Sequence, residues 1–93
     1  MTAPERWYFA GPHLDRAVAR WRERDRPSDE QVEAFLDWCA ELVETGPRDA
    51  DSFLVPGEHD VFISWVPASG AFVTYAAVAQ DGGIFVRKIE PAG

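Results

Sequence analysis

Glu30, Glu33, Asp37, Glu41 and Glu44 recur at intervals of three and four, the spacing that stacks side chains in a column along one side of a helix. No Lys or Arg falls between positions 29 and 45, so each i, i+4 carboxylate pair costs roughly 0.2–0.5 kcal/mol that a lysine would have relieved. Such a ridge suits docking to a basic partner. The plainer reading is a solvated face, or one partly neutralised by the arginines of a neighbouring helix. Arg16, Arg20 and Arg24 recur every fourth residue just upstream and form a basic stripe, diluted by Asp15, Glu23 and Asp25. That stripe suits either packing against the acidic helix or contact with phosphate.

Glu58-His59-Asp60 sets a candidate base between two carboxylates ahead of a strand-like run. Consecutive residues of an extended chain point to opposite sides, so the three do not converge by adjacency, and a solvent-exposed turn is the simpler reading. His13, beside Pro12, reads as a surface residue. Tyr75, Arg87 and Lys88 are the polar groups of the C-terminal half able to meet a substrate on a sheet face or edge. Strand alternation lets only one of Arg87 and Lys88 point to a given face, and solvent-facing positions explain them equally. The chain has no phosphate-binding glycine loop, nucleophile elbow or spaced metal motif. One cysteine, Cys39, and two histidines, at 13 and 59, build neither a disulfide nor a Cys-rich metal site; no metal and no cofactor is expected.

The elements that position these residues follow from hydrophobic periodicity. Arg6 to Ala10 is aromatic and stops at Gly11-Pro12, predicting a first strand. Pro12 opens a helix running to about Arg24, with Leu14, Ala17, Val18 and Trp21 on one face. Asp25-Arg26-Pro27 breaks it; Ser28 with Gln31 then forms a capping box for a helix over roughly 29–45. On that helix Val32, Phe35, Leu36, Cys39 and Val43 form the predicted apolar face, with Trp38 and Leu42 at its edge, and Gly46-Pro47 ends it. Residues 48–60 read as a loop holding a short extended piece at Phe53 to Val55. Val61 to Val66, Ala71 to Gln80 and Ile84 to Ile89 read as strands joined by turns at Pro67 to Gly70 and Asp81-Gly82. The expected fold class is α+β: a strand, a two-helix hairpin, then a three-stranded antiparallel meander.

Ninety-three residues fit one domain, 1–93, and a 46% hydrophobic composition with four Trp and six Phe is that of a globular chain. A net charge of −7 argues against a non-specific nucleic-acid binder, whose affinity rests on Lys and Arg. The N-terminus lacks a basic region followed by an apolar run, and no eighteen consecutive residues are apolar, so the expectation is a cytoplasmic protein with no membrane contact.

Four stretches carry a wider pattern: Phe9-Ala10-Gly11-Pro12, Leu42-Val43-Glu44-Thr45-Gly46-Pro47, Ala71-Phe72-Val73-Thr74-Tyr75, and Gly83-Ile84-Phe85-Val86-Arg87-Lys88-Ile89. With this order of elements, the chain resembles the RelE/ParE superfamily of bacterial type II toxins over nearly its whole length. The resemblance implies a toxin, active or attenuated, held by a cognate antitoxin and directed at ribosome-bound mRNA or DNA gyrase. Its implied chemistry is metal-independent attack of a ribose 2′-hydroxyl on the adjacent phosphate, aided by a base, an acid and a cation. Tyr75, Arg87 and Lys88 are the positions carried over as catalytic. The chain departs from the family where a Tyr-Arg pair commonly stands, having Tyr75-Ala76, and no His or Tyr follows Lys88. The alternative function is a non-enzymatic module that engages a basic protein through Glu30, Glu33, Asp37, Glu41 and Glu44 and exposed aromatics such as Trp38, with Arg16 and Arg20 as further binding positions.

Overall fold

The computed structural model describes residues 7–47 and 52–91. Arg6 of the expected first strand, residues 48–51 of the expected loop and residues 92–93 lie outside the described residues. The elements in chain order are β1 (Tyr8–Phe9), α1 (Gly11–Asp25), α2 (Asp29–Thr45), β2 (Ser52–Leu54), β3 (Val61–Val66), β4 (Ala71–Val78) and β5 (Gly83–Pro91). The fold is α+β, with a strand first.

Pro12 occupies the first turn of α1, where its missing N–H goes unneeded, and the helix ends at Arg26 in the left-handed region (φ 47°) before Pro27. The Ser28 Oγ accepts from the Gln31 N–H at 3.2 Å while the Gln31 side chain accepts from the Ser28 N–H at 2.8 Å, so both halves of the capping box are present on α2. At its other end Gly46 has φ +70°, and a Cβ there would sit 2.6 Å from Trp7 Nε1. Only glycine allows both that turn and the indole lying against it. The Trp7 N–H donates to the Val43 carbonyl at 3.0 Å, tying the segment that leads into β1 to the last turn of α2.

The sheet has the order β1-β5-β4-β3-β2. The expected meander forms its centre and is widened on both sides. The short extended piece becomes β2, antiparallel to β3, and β1 runs parallel to β5 with Tyr8 opposite Gly83 and Phe9 opposite Ile84. Alternation along the strands then divides the sheet into two faces. Val66, Ala71, Val73, Tyr75, Ala77, Ile84, Val86 and Ile89 join Ala17, Trp21, Phe35, Trp38, Cys39 and Leu42 of the helices in one buried cluster. The opposite face carries Phe53, Ile63, Trp65, Phe72, Thr74 and Lys88.

An aromatic seam runs through the core. Trp21 meets Phe35 at 5.3 Å between ring centroids, Phe35 meets Trp38 at 5.9 Å, and Tyr75 lies between Trp38 and Phe62 at 5.8 Å from each. The face that α2 buries is rotated from the expected one: Phe35, Trp38, Cys39 and Leu42 are buried, at i, i+3, i+4, i+7, whereas Leu36 is 53% exposed. The rotation follows size, because it turns the two largest rings of the helix onto the sheet. Trp38, 6% exposed, is therefore a core residue and not a docking aromatic. Among the described residues no helix is long and apolar enough to cross a membrane.

The rotated face gives a direct contrast. Trp38→Ala is expected to cost about 3–5 kcal/mol by opening a cavity under the sheet, while Leu36→Ala costs less than about 0.5 kcal/mol. Urea unfolding of the two variants measures the difference.

Candidate functional site

Between Thr74 and Tyr75 the β4–β5 register slips: Thr74 faces Lys88, Tyr75 faces Val86, and Arg87 is left without an opposite number. This is a β-bulge, with two residues of one strand set against a single step of the other. It overturns the expectation that Arg87 and Lys88 diverge. Both are exposed and both border a groove of about 640 Å³ on the face away from the helices, beside Val61, Ile63, Phe72 and Thr74. Lys88 Nζ pairs with Glu90 Oε1 at 2.7 Å across the surface, an exposed contact of small energetic weight.

Arg87 also forms one wall of a second groove, of about 560 Å³, between α1 and the sheet. His13, Arg16 and Arg20 of α1 line the other wall, with Ala17 and Val86 at its base and Asp60, Ala76, Val78 and Phe85 around it. Two guanidiniums of α1 and one of β5 thus border one space. Among the described residues none of the three forms an ion pair, since the salt bridges there are Arg24–Asp25 and Lys88–Glu90. Holding Arg16 and Arg20 one turn apart costs roughly 0.2–0.5 kcal/mol, which no carboxylate contact among the described residues offsets. The His13 ring meets Phe85 edge to face, 5.5 Å between centroids and 75° between planes.

Arg24, the third member of the basic stripe, serves structure instead. Its Nε and Nη2 donate to the two carboxylate oxygens of Asp25 at 2.9 Å each, and Nη2 also donates to the Ile89 carbonyl, tying the end of α1 to β5. That hydrogen-bonded pair raises the Arg24 pKa and lowers the Asp25 pKa.

Tyr75 lies on the other side of the sheet from the Arg87–Lys88 groove. It is fully buried (0% exposed), its ring held in the aromatic seam, and its hydroxyl shares a 2.9 Å hydrogen bond with Ser64 and a longer one, 3.4 Å, with Ser52. This corrects its expected place among substrate-contacting residues: strand alternation from Val73 commits it to the core. Glu30, Glu33, Asp37, Glu41 and Glu44 are all exposed on α2, and none forms an ion pair among the described residues. The arginines of α1 do not neutralise them by direct contact. Glu58 faces the open-face groove, Asp60 the α1 groove, and His59 is exposed, so this triplet is dispersed. Cys39 is a buried free thiol, and loss of solvent pushes its pKa up to about 12.

Sequence spacing assigned Arg16 and Arg20 to one stripe but missed His13, which stands on the same face at i, i+3, i+7 and was visible to the same test. Asp60 and Phe85 reach the groove only through strand pairing, for which no local signal exists. Among the described residues no group of three or more His, Cys, Asp or Glu is placed to hold a metal ion.

No family model matches the chain, and no solved structure matches it. A curated relative, the probable deoxyhypusine synthase of Thermococcus onnurineus (strain NA1), is 30% identical over 86 residues, taking in 89% of this chain and 22% of that protein. The chain thus spans about a fifth of the length of the curated relative it matches.

Two outcomes test this assignment of roles. Tyr75→Phe removes the hydroxyl's hydrogen bonds to Ser64 and Ser52, at an expected cost of about 1–2 kcal/mol in urea unfolding, while Ser64 keeps its 2.7 Å contact with Ser52. For Cys39 the folded pKa is raised from an ordinary value of 9.0 to about 12, so the unfolded chain loses this proton first as pH rises. The thiol's contribution to stability is accordingly complete below pH 9 and declines above it. Comparing urea midpoints of the parent and Cys39→Ala at pH 8 and pH 10.5 should show a steeper alkaline loss for the parent.

Proposed function

We propose that this chain is a RelE/ParE-like toxin component, attenuated for cleavage, which engages its target through Arg87, Lys88 and the basic groove beside them and is restrained by a cognate antitoxin. The observation that carries this reading is the β-bulge, which leaves Arg87 and Lys88 exposed together. Both fall on positions carried over from the family. Arg87 offers a planar fork of donors matched to phosphate oxygens, and Lys88 a second cation on the same groove. With Tyr75 in the core, the cations of the inferred site are available while its tyrosine is not. That combination supports holding an anionic target, such as the phosphates of ribosome-bound mRNA, over rapid proton transfer to it.

A second reading rests on α2. Its five carboxylates are exposed with Leu36 beside them, so a basic amphipathic segment of a partner protein would find both charge and an apolar anchor there. In this reading the chain is a binding module and the bulge is incidental.

Expression of the chain alone in a bacterial host, with growth and translation rate followed together, separates the two. A toxin acting through the bulge arrests growth, Arg87→Ala/Lys88→Ala relieves the arrest, and Tyr75→Phe does not. Glu33→Lys/Asp37→Lys/Glu41→Lys leaves that arrest intact, whereas under the second reading it abolishes partner binding. Normal growth with abundant soluble protein, in a host whose translation and gyrase activities are unaffected, counts against the toxin reading.

A further inference from the structure

We infer that the groove between α1 and β5 binds a nucleoside phosphate. The inference needs neither a toxin nor an antitoxin; it rests on what the groove's two walls present. Arg16 and Arg20 stand one helical turn apart on α1, and Arg87 faces the same space from β5. Guanidinium groups approaching from two walls suit a tetrahedral phosphate, whose oxygens project in several directions at once. Because none of the three is committed to an ion pair among the described residues, all three remain available to such a ligand.

A phosphate alone would use only part of this space. The groove encloses about 560 Å³, within the range of small-molecule sites. Phe85, steadied by its edge-to-face contact with His13, supplies an aromatic wall against which a nucleobase can rest. Asp60 is the one carboxylate on the lining. It repels phosphate and accepts hydrogen bonds from a ribose hydroxyl or an exocyclic amine, so it directs the sugar or base toward itself and the phosphate toward the arginines. The lining therefore offers each part of a nucleotide a partner: cations for the phosphate, and a carboxylate and a ring for the sugar and base.

The charge of the whole chain selects a short ligand over a long one. With a net charge of −7 and an exposed acidic ridge on α2, a free nucleic-acid strand leaving the groove, one not held in place by a ribosome, is repelled by the surrounding field. A mononucleotide places its charge wholly among the three arginines.

The test is isothermal titration of the full chain at low salt with ADP, pyrophosphate, adenosine and a single-stranded RNA octamer. ADP should bind saturably with one site, adenosine at least about tenfold more weakly, and pyrophosphate more weakly than ADP. Arg20→Ala and Arg87→Ala, both at exposed positions, should each lower ADP affinity about tenfold while leaving the urea midpoint near the parent's. Phe85→Leu should narrow the preference for ADP over pyrophosphate. Absence of ADP binding, or ADP binding indifferent to both arginine variants, overturns the inference. Equal binding of pyrophosphate and ADP reduces the groove to an anion site without base recognition and rejects the nucleoside part. Tight binding of the octamer without ADP binding assigns the groove to a strand instead. Growth arrest in the expression experiment has no bearing on any of these outcomes.

Discussion

Tyr75 sits between the rings of Trp38 and Phe62, and this contact decides which face of the sheet is covered. Aromatic pairs of this geometry contribute about 0.5–1.5 kcal/mol each beyond the area they bury. Through Phe35 the seam continues to Trp21, so one run of rings couples α2, α1 and the middle of the sheet. With both helices drawn to that side, the remaining face of the sheet and the outward side of α1 are left to carry charge. One groove lies on that remaining face, and the other opens between α1 and the sheet, at the margin of the covered side.

Within that frame a single irregularity redistributes the polar groups. A regular β5 would alternate Arg87 and Lys88 between the two faces, forcing one cation toward the aromatic core, where desolvation opposes it. The slip between Thr74 and Tyr75 removes that conflict: Val86 and Ile89, three positions apart, both face the helices, and the two cations between them both reach water. The bulge satisfies the core first, and the convergence of Arg87 with Arg16 and Arg20 follows from it. Structural necessity and a concentrated positive surface thus have the same origin.

Much of this architecture could be read from local chemistry. The Ser28/Gln31 capping box, Pro12 and Gly46-Pro47 bound the helices within a residue or so, and the three central strands follow from their β-branched and aromatic runs. What escaped depends on pairing over long distances. Which residues of α2 turn inward is settled by how Trp38 fits against Tyr75, and apolar spacing alone admits a neighbouring face including Leu36. The same holds for the site: Arg16 and Arg20 were legible as a stripe, but their meeting with Arg87 requires the register of β5, and the burial of Tyr75 requires knowing which side of β4 the helices occupy. No pattern within a few residues of Arg87 encodes a bulge.

The parallel pairing of Tyr8–Phe9 with Gly83 and Ile84 joins positions about 75 residues apart and sets the edge of the sheet. Loop closure across that span carries an entropic cost that contacts formed earlier in chain order do not meet. Trp7 adds a hold from another quarter: its N–H donates to the Val43 carbonyl and its indole lies against Gly46, so the segment leading into β1 is held by the end of α2 as well as by β5. A side chain at position 46 would therefore disturb the sheet edge from a point far in sequence from both strands that form it.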